Sequence, residues 1–152
     1  MMSTADAAHS ADTHGGFAIG RRVMAGVVGG IAGGLVFGIL MMMMGMLPTI
    51  ASMVGSQSAG VGFAIHMLIS IGIGLGLTVP FASLLSTYPR GAVIGLVYGA
   101  IWWVLGPLLL MPTMMGMPLF MIDATAMMSL MGHLIYGLIL GLVAVGVLRK
   151  NA

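Results

Sequence analysis

The sequence predicts an all-α integral membrane protein whose four transmembrane helices form two tandem helical hairpins. Three observations carry this. Residues of the set AVILMFWYC make up 60% of the 152, where a soluble domain holds about 45–50% with Gly counted in. Only 5% of the residues are charged, against about 25% in soluble domains, too few to cover the surface of a soluble globule. The apolar residues also gather into four blocks, each near the roughly 20 residues that cross a hydrocarbon core about 30 Å thick.

The elements follow in chain order. Residues 1–16 hold Ser, Thr, Ala, Gly, Asp6, Asp12, His9 and His14, with too little apolar matter to pack, and read as a disordered cytoplasmic tail. This segment is acidic rather than basic, and the apolar run after it is too long for a signal-peptide core, so residues 17–152 read as one four-span domain. The expected spans are about 23–47, 61–86, 92–111 and 127–148. Arg21 and Arg22 precede the first, Arg90 lies between the second and third, and Arg149 and Lys150 follow the fourth. Four crossings put all five on one face, which the positive-inside rule makes cytoplasmic, with both termini inside a bacterial inner membrane. Asp123, the acidic residue outside the tail, falls on the other face as a helix N-cap or interface residue.

The two halves resemble each other. Matching Arg21 to Arg90 aligns Gly26 with Gly95 and Gly30 with Gly99, and the later spans align His66 with His133 and Gly74 with Gly141. Both copies start on the same face, which predicts a parallel internal repeat about an axis along the membrane normal. Gly26, Gly30, Gly34 and Gly38 recur every four residues as a glycine zipper, a spacing that lets helix backbones approach closely in lipid. Gly95 and Gly99 continue into Trp103, and the expectation is that Trp102 and Trp103 fill the groove left by the span 1 glycines. Pro80 and Pro107 each remove one helical hydrogen bond, freeing the carbonyls of Gly76 and Trp103, and read as ordinary membrane-helix kinks.

Candidate chemistry lies toward the outer side. Of 18 Met, most fall at the ends of spans 1 and 3 and the start of span 4, near His66 and His133. Thioethers are soft neutral donors that suit Cu(I), and imidazole binds copper as well. The candidate ligands are His66, His133, Met67, Met131, Met115 and Met117, with Cu(I) or a similar soft metal as the implied cofactor. The plainer reading makes Met a flexible apolar filler and each His a neutral imidazole hydrogen-bonded across the helix interface to Ser70, Ser129 or Tyr136. His9 and His14 read as solvated.

Composition also excludes classes. There is no Cys, hence no disulfide framework or thiolate metal site. Five basic residues form no nucleic-acid patch, and the intramembrane carboxylate pairs, HExxH, GxSxG and P-loop motifs of enzymes are absent. The chain is read as a non-enzyme whose partners are the lipid bilayer and either a second copy or a larger membrane complex. Tyr88-Pro89, the Gly95–Gly99 stretch, the Pro/Met/Gly segment near 112–118 and Gly132-His133-Leu134 are similar to the YagU-like group of uncharacterised bacterial inner-membrane proteins. The resemblance covers about residues 63–140 and implies a small polytopic membrane protein, with no activity attached. The readings in order are a soft-metal binder at the outer face, a structural accessory subunit, and a small-solute transporter.

Overall fold

The computed structural model describes the backbone of residues 4–150 and the side chains of residues 19–150. The elements are α1 (Thr4–Met43), α2 (Leu47–Ser52), α3 (Ala59–Phe81), a 3₁₀ turn (Ala82–Leu84), α4 (Tyr88–Leu105), a π-helical turn (Gly106–Leu110), α5 (Met111–Met115) and α6 (Ala124–Arg149). Among the described residues there is no strand. Four segments are long and apolar enough to cross a bilayer: Ile19–Met43, Ala59–Leu84, Tyr88–Met115 and Ala124–Arg149. The protein is an all-α, multi-pass membrane protein. Helix α1 begins inside the segment read from composition as a tail, and the side chains of that segment, His9 and His14 among them, lie outside the described residues.

Local chemistry sets the helix ends. Span 1 stops at Met43 rather than at 47 because Gly45 takes a left-handed φ of 67°, with Gly45 N–H donating to Met42 O and Met46 N–H to Met41 O. That is a glycine-terminated Schellman end, closing two carbonyls that would otherwise be orphaned. Pro48 then sits in the first turn of α2, where its missing N–H has no helical partner to lose. Ser58 caps α3, Thr87 caps α4, and Asp123 caps α6 by accepting from Ala126 N–H at 2.8 Å, which is the N-cap role expected of Asp123.

Packing follows small residues. Helix α1 lies against both α3 and α6, α4 lies against α6, and α3 meets α4 only sparsely. Gly26, Gly30, Gly34 and Gly38 all face α3: a Cβ on Gly30 would stand 2.7 Å from Ser70 O, and one on Gly38 2.7 Å from the Phe63 ring. Gly29 and Gly33 face α6 at Leu140 and Tyr136. On the far side of α6, Gly137 abuts the Gly95 carbonyl and Gly141 the Gly91 carbonyl, while Gly99 abuts the His133 carbonyl. The span 1 glycines therefore do not receive Trp102 or Trp103. Trp103 is turned to α6, donating Nε1–H to Ala126 O at 2.8 Å. Backbone contact between α1 and α3 uses up the groove that sequence had assigned to the tryptophans.

The two glycine-bearing hairpins are also one helical turn out of the register assumed from sequence. Gly74 rests on the Gly26 carbonyl and Gly141 on the Gly91 carbonyl, so contact pairs Gly26 with Gly91, whereas matching the arginines pairs Gly26 with Gly95. Arg21, Arg22, Arg90, Arg149 and Lys150 all stand at one end of the bundle, hereafter the basic end. There Arg22 donates to Val79 O at 3.1 Å and the Arg149 guanidinium lies 5.7 Å from the Tyr88 ring centre. The loops carrying α2, α5 and Asp123 occupy the opposite, loop end.

Candidate functional site

At the loop end the helices part around a cavity of about 140 Å³. Its position follows from what ends each small-residue stripe. Along α1, Gly29 and Gly33 are followed at the same four-residue spacing by Phe37 and Met41; along α4, Gly91, Gly95 and Gly99 are followed by Trp103. Large side chains on these faces hold the axes apart where glycine had let them touch.

Phe37 is the centre of the arrangement. It is 5% exposed and lies edge-on to both imidazoles, 5.3 Å from the His66 ring centre and 4.8 Å from that of His133. Its ring occupies the place that a Cβ on residue 132 would need, so Gly132 makes room for it. The two histidines thus share one cavity wall, as their matched depth suggested, with an aromatic ring between them.

Each imidazole is held from its own helix or a neighbour. His66 Nε2 is 3.0 Å from Gly34 O and 3.4 Å from Ser70 Oγ; His133 Nδ1 is 2.8 Å from Ser129 O and 3.4 Å from Ser129 Oγ. A carbonyl only accepts, so in the neutral rings His66 carries its proton on Nε2 and His133 on Nδ1. The nitrogen left with a lone pair is Nδ1 in His66 and Nε2 in His133. The plainer expectation placed the serines across a helix interface; both serine contacts instead lie within the histidine's own helix, and the bond that reaches another helix is His66 to Gly34 O. Tyr136 is not one of these partners: its hydroxyl donates to Ser70 O at 2.6 Å, tying α6 to α3.

The thioethers that border the cavity are Met41, Met46, Met53 and Met111. None is among the four Met proposed from sequence. Met131, Met115 and Met117 are 48%, 44% and 53% exposed and face away from it, and Met67 turns its sulfur toward Gly34 on α1. Two local features decide this. The Schellman end at Gly45 folds the chain back, so that α2 brings Met46, Thr49, Ile50 and Met53 over the cavity. The π-helical turn at Gly106–Leu110 absorbs the N–H missing at Pro107 and places Gly106, Pro107, Leu110 and Met111 on the wall. Pro107 was expected to be an ordinary kink. It instead sits in a widened turn of a kind that recurs at functional sites. For Met41 a signal did exist, since it continues the 29–33–37 stripe by one more turn.

The lining is otherwise apolar, with Ile69 and Ile73 from α3 and Trp102 from α4. Among the described residues no three of His, Cys, Asp and Glu cluster as metal ligands, so any metal held here must draw on thioether sulfur. No family model matches the chain, and its comparison with curated proteins and with solved structures returns no match.

Proposed function

We propose that this protein binds Cu(I), or another soft monovalent cation, in the cavity at the loop end of its bundle. One observation supports the reading above the rest: two imidazoles and the four thioethers of Met41, Met46, Met53 and Met111 border the same space. A site of neutral soft and borderline donors with few hard ones favours Cu(I) over Zn(II), because thioether sulfur contributes little to a harder ion. The reading includes an inner-membrane protein of a bacterium with both termini cytoplasmic, a topology that places the cavity toward the periplasm. Clustering of the five basic residues at one end supports that orientation. It also includes descent of the two hairpins from one ancestor, supported by the like placing of His66 and His133 although the glycine contacts are a turn apart.

The test is anaerobic Cu(I) titration of the purified protein against a competing chelator. The Met41→Leu/Met111→Leu variant should bind at least about tenfold more weakly, a loss of about 1.4 kcal/mol. The Met115→Leu/Met117→Leu variant, altered outside the cavity, should match the parent. Equal affinity in all three proteins would remove the metal reading and leave the accessory-subunit alternative in its place.

A further inference from the structure

We infer that the cavity is a one-sided vestibule, entered and left at the loop end and closed toward the basic end by two tyrosine latches above a filled core. Three structural features carry this. The first is the floor. Tyr136, 3% exposed, donates its hydroxyl to Ser70 O at 2.6 Å, and Tyr98 donates to Ile73 O at 2.9 Å. Both acceptors are carbonyls of α3, so α4 and α6 are each fastened to α3 at the depth where the cavity ends. The Tyr98 bond crosses the side on which α3 and α4 otherwise meet sparsely, and the Tyr136 bond joins α6 to α3.

The second is what lies beneath. Ala25, Leu77, Thr78, Leu140, Ala144 and Val145 are each 0–2% exposed, and they fill the bundle from the tyrosines to the basic end. Around them the helix pairs touch through backbone: Gly74 on Gly26, Gly137 on Gly95, Gly141 on Gly91. Thr78 adds a hydrogen bond of 2.8 Å to Arg22 O, joining α3 to α1 near the basic end. A passage here would require separating backbones already in van der Waals contact, and packed cores of this kind switch between discrete arrangements rather than yielding gradually. The third is the rim. The exposed residues of the lining are Thr49 and Leu110 at the loop end and Ile69 on the side where α3 and α4 meet sparsely, all on the loop-end side of the tyrosines.

One-sided access bears on function class. A transporter must present its site to both faces in turn, whereas a vestibule exchanges its ligand with donors and acceptors on a single face. If the site holds a soft metal, as proposed above, then its partners are metal carriers on the loop-end side. That last step rests on the metal reading; the sidedness does not.

The chain has no Cys, so single-cysteine variants report without background. Met53→Cys and Met111→Cys sample the vestibule, Val145→Cys the core, and exposed Gln57→Cys and Ser83→Cys mark the loop and basic ends. Each full-length variant, reconstituted in sealed vesicles, is treated from one side at a time with a membrane-impermeant methanethiosulfonate, which reacts with water-exposed thiolate. Met53→Cys and Met111→Cys should label from the side that labels Gln57→Cys and lose all labelling from the side that labels Ser83→Cys. Val145→Cys should label from neither. Labelling of Met111→Cys from the Ser83 side, or from both, overturns the inference and restores the transporter reading. Failure of both vestibule cysteines to label from either side overturns it as well, since the rim would then be shut. No metal is present in this experiment, so its outcome is independent of the Cu(I) titration.

Discussion

Helix α6 crosses two environments within its length. Toward the basic end it offers Gly137 and Gly141 to α4 and Leu140 to α1, and every one of these positions is buried against backbone or a filled core. Toward the loop end the same two faces offer His133 and Ser129 on one side and Gly132 on the other, the latter filled by Phe37. The stripes themselves do not change direction; only the side-chain size along them does. In lipid, where apolar surface gains little by leaving the bilayer for a neighbouring helix, close backbone approach is the main source of cohesion. Glycine therefore seals the basic half, and the switch to Phe, Trp and His in the loop half creates a space bordered by polar and soft groups. Fold and candidate site are two ends of one packing pattern.

The largest expected effect comes from breaking the seal. Gly137→Leu should abolish recovery of folded protein in detergent, because the Cβ alone would collide with the Gly95 carbonyl. Even Gly137→Ala should cost about 3 kcal/mol, the upper range for overpacking a core. Gly72, beside which nothing lies within 4 Å, is the matched control, and Gly72→Ala should stay within about 0.5 kcal/mol of the parent by denaturant titration.

A middle-sized effect compares the halves directly. Leu140, 0% exposed in the filled half, should lose about 2–5 kcal/mol when cut to Ala, because the cavity left behind has no collapsing neighbour. Met111 already borders open space, so Met111→Ala should cost less than about 1 kcal/mol. Equal losses at the two positions in unfolding measurements would mean that the loop half is as tightly packed as the basic half.

The smallest effect concerns the boundary between them. Tyr136→Phe removes one interhelical hydrogen bond to Ser70 O and keeps the ring, so a loss of about 0.6 kcal/mol and no more than about 1.7 is expected. A larger loss would show that the latch, rather than the glycine contacts below it, holds the floor closed.

Much of this was legible in the residues. The four apolar blocks, the basic residues at alternate helix ends and the Asp123 cap follow from composition and single-residue chemistry, which act locally and need no partner. The histidine partners were not: the serines expected across an interface lie four positions away on the same helix, and the bond that crosses to a neighbour goes to the Gly34 carbonyl. The four methionines that border the cavity were not legible either. Met67 and Met131 lie beside a histidine along the chain and Met115 and Met117 in the Met-rich outer loop, but a Schellman end at Gly45 and a π turn at Pro107 re-aim the surrounding segments. A hydropathy pattern is blind to either, because both keep the residues apolar and only rotate them.

The partner of a glycine face was likewise hidden. Spacing shows that Gly26, Gly30, Gly34 and Gly38 share one side of a helix, and that follows from the 3.6-residue turn alone. It does not say which helix lies there, since every candidate neighbour is equally apolar. Sequence by itself thus determined that the chain crosses the membrane four times, where its helices are capped and which faces are smooth. Tertiary structure decided that those faces meet α3 and α6 rather than the tryptophans, and that Phe37, His66, His133 and four methionines border one cavity. The physical reason is that crossing a bilayer depends on each segment's own transfer from water, whereas choosing a neighbour depends on shape, which exists only once two helices are side by side.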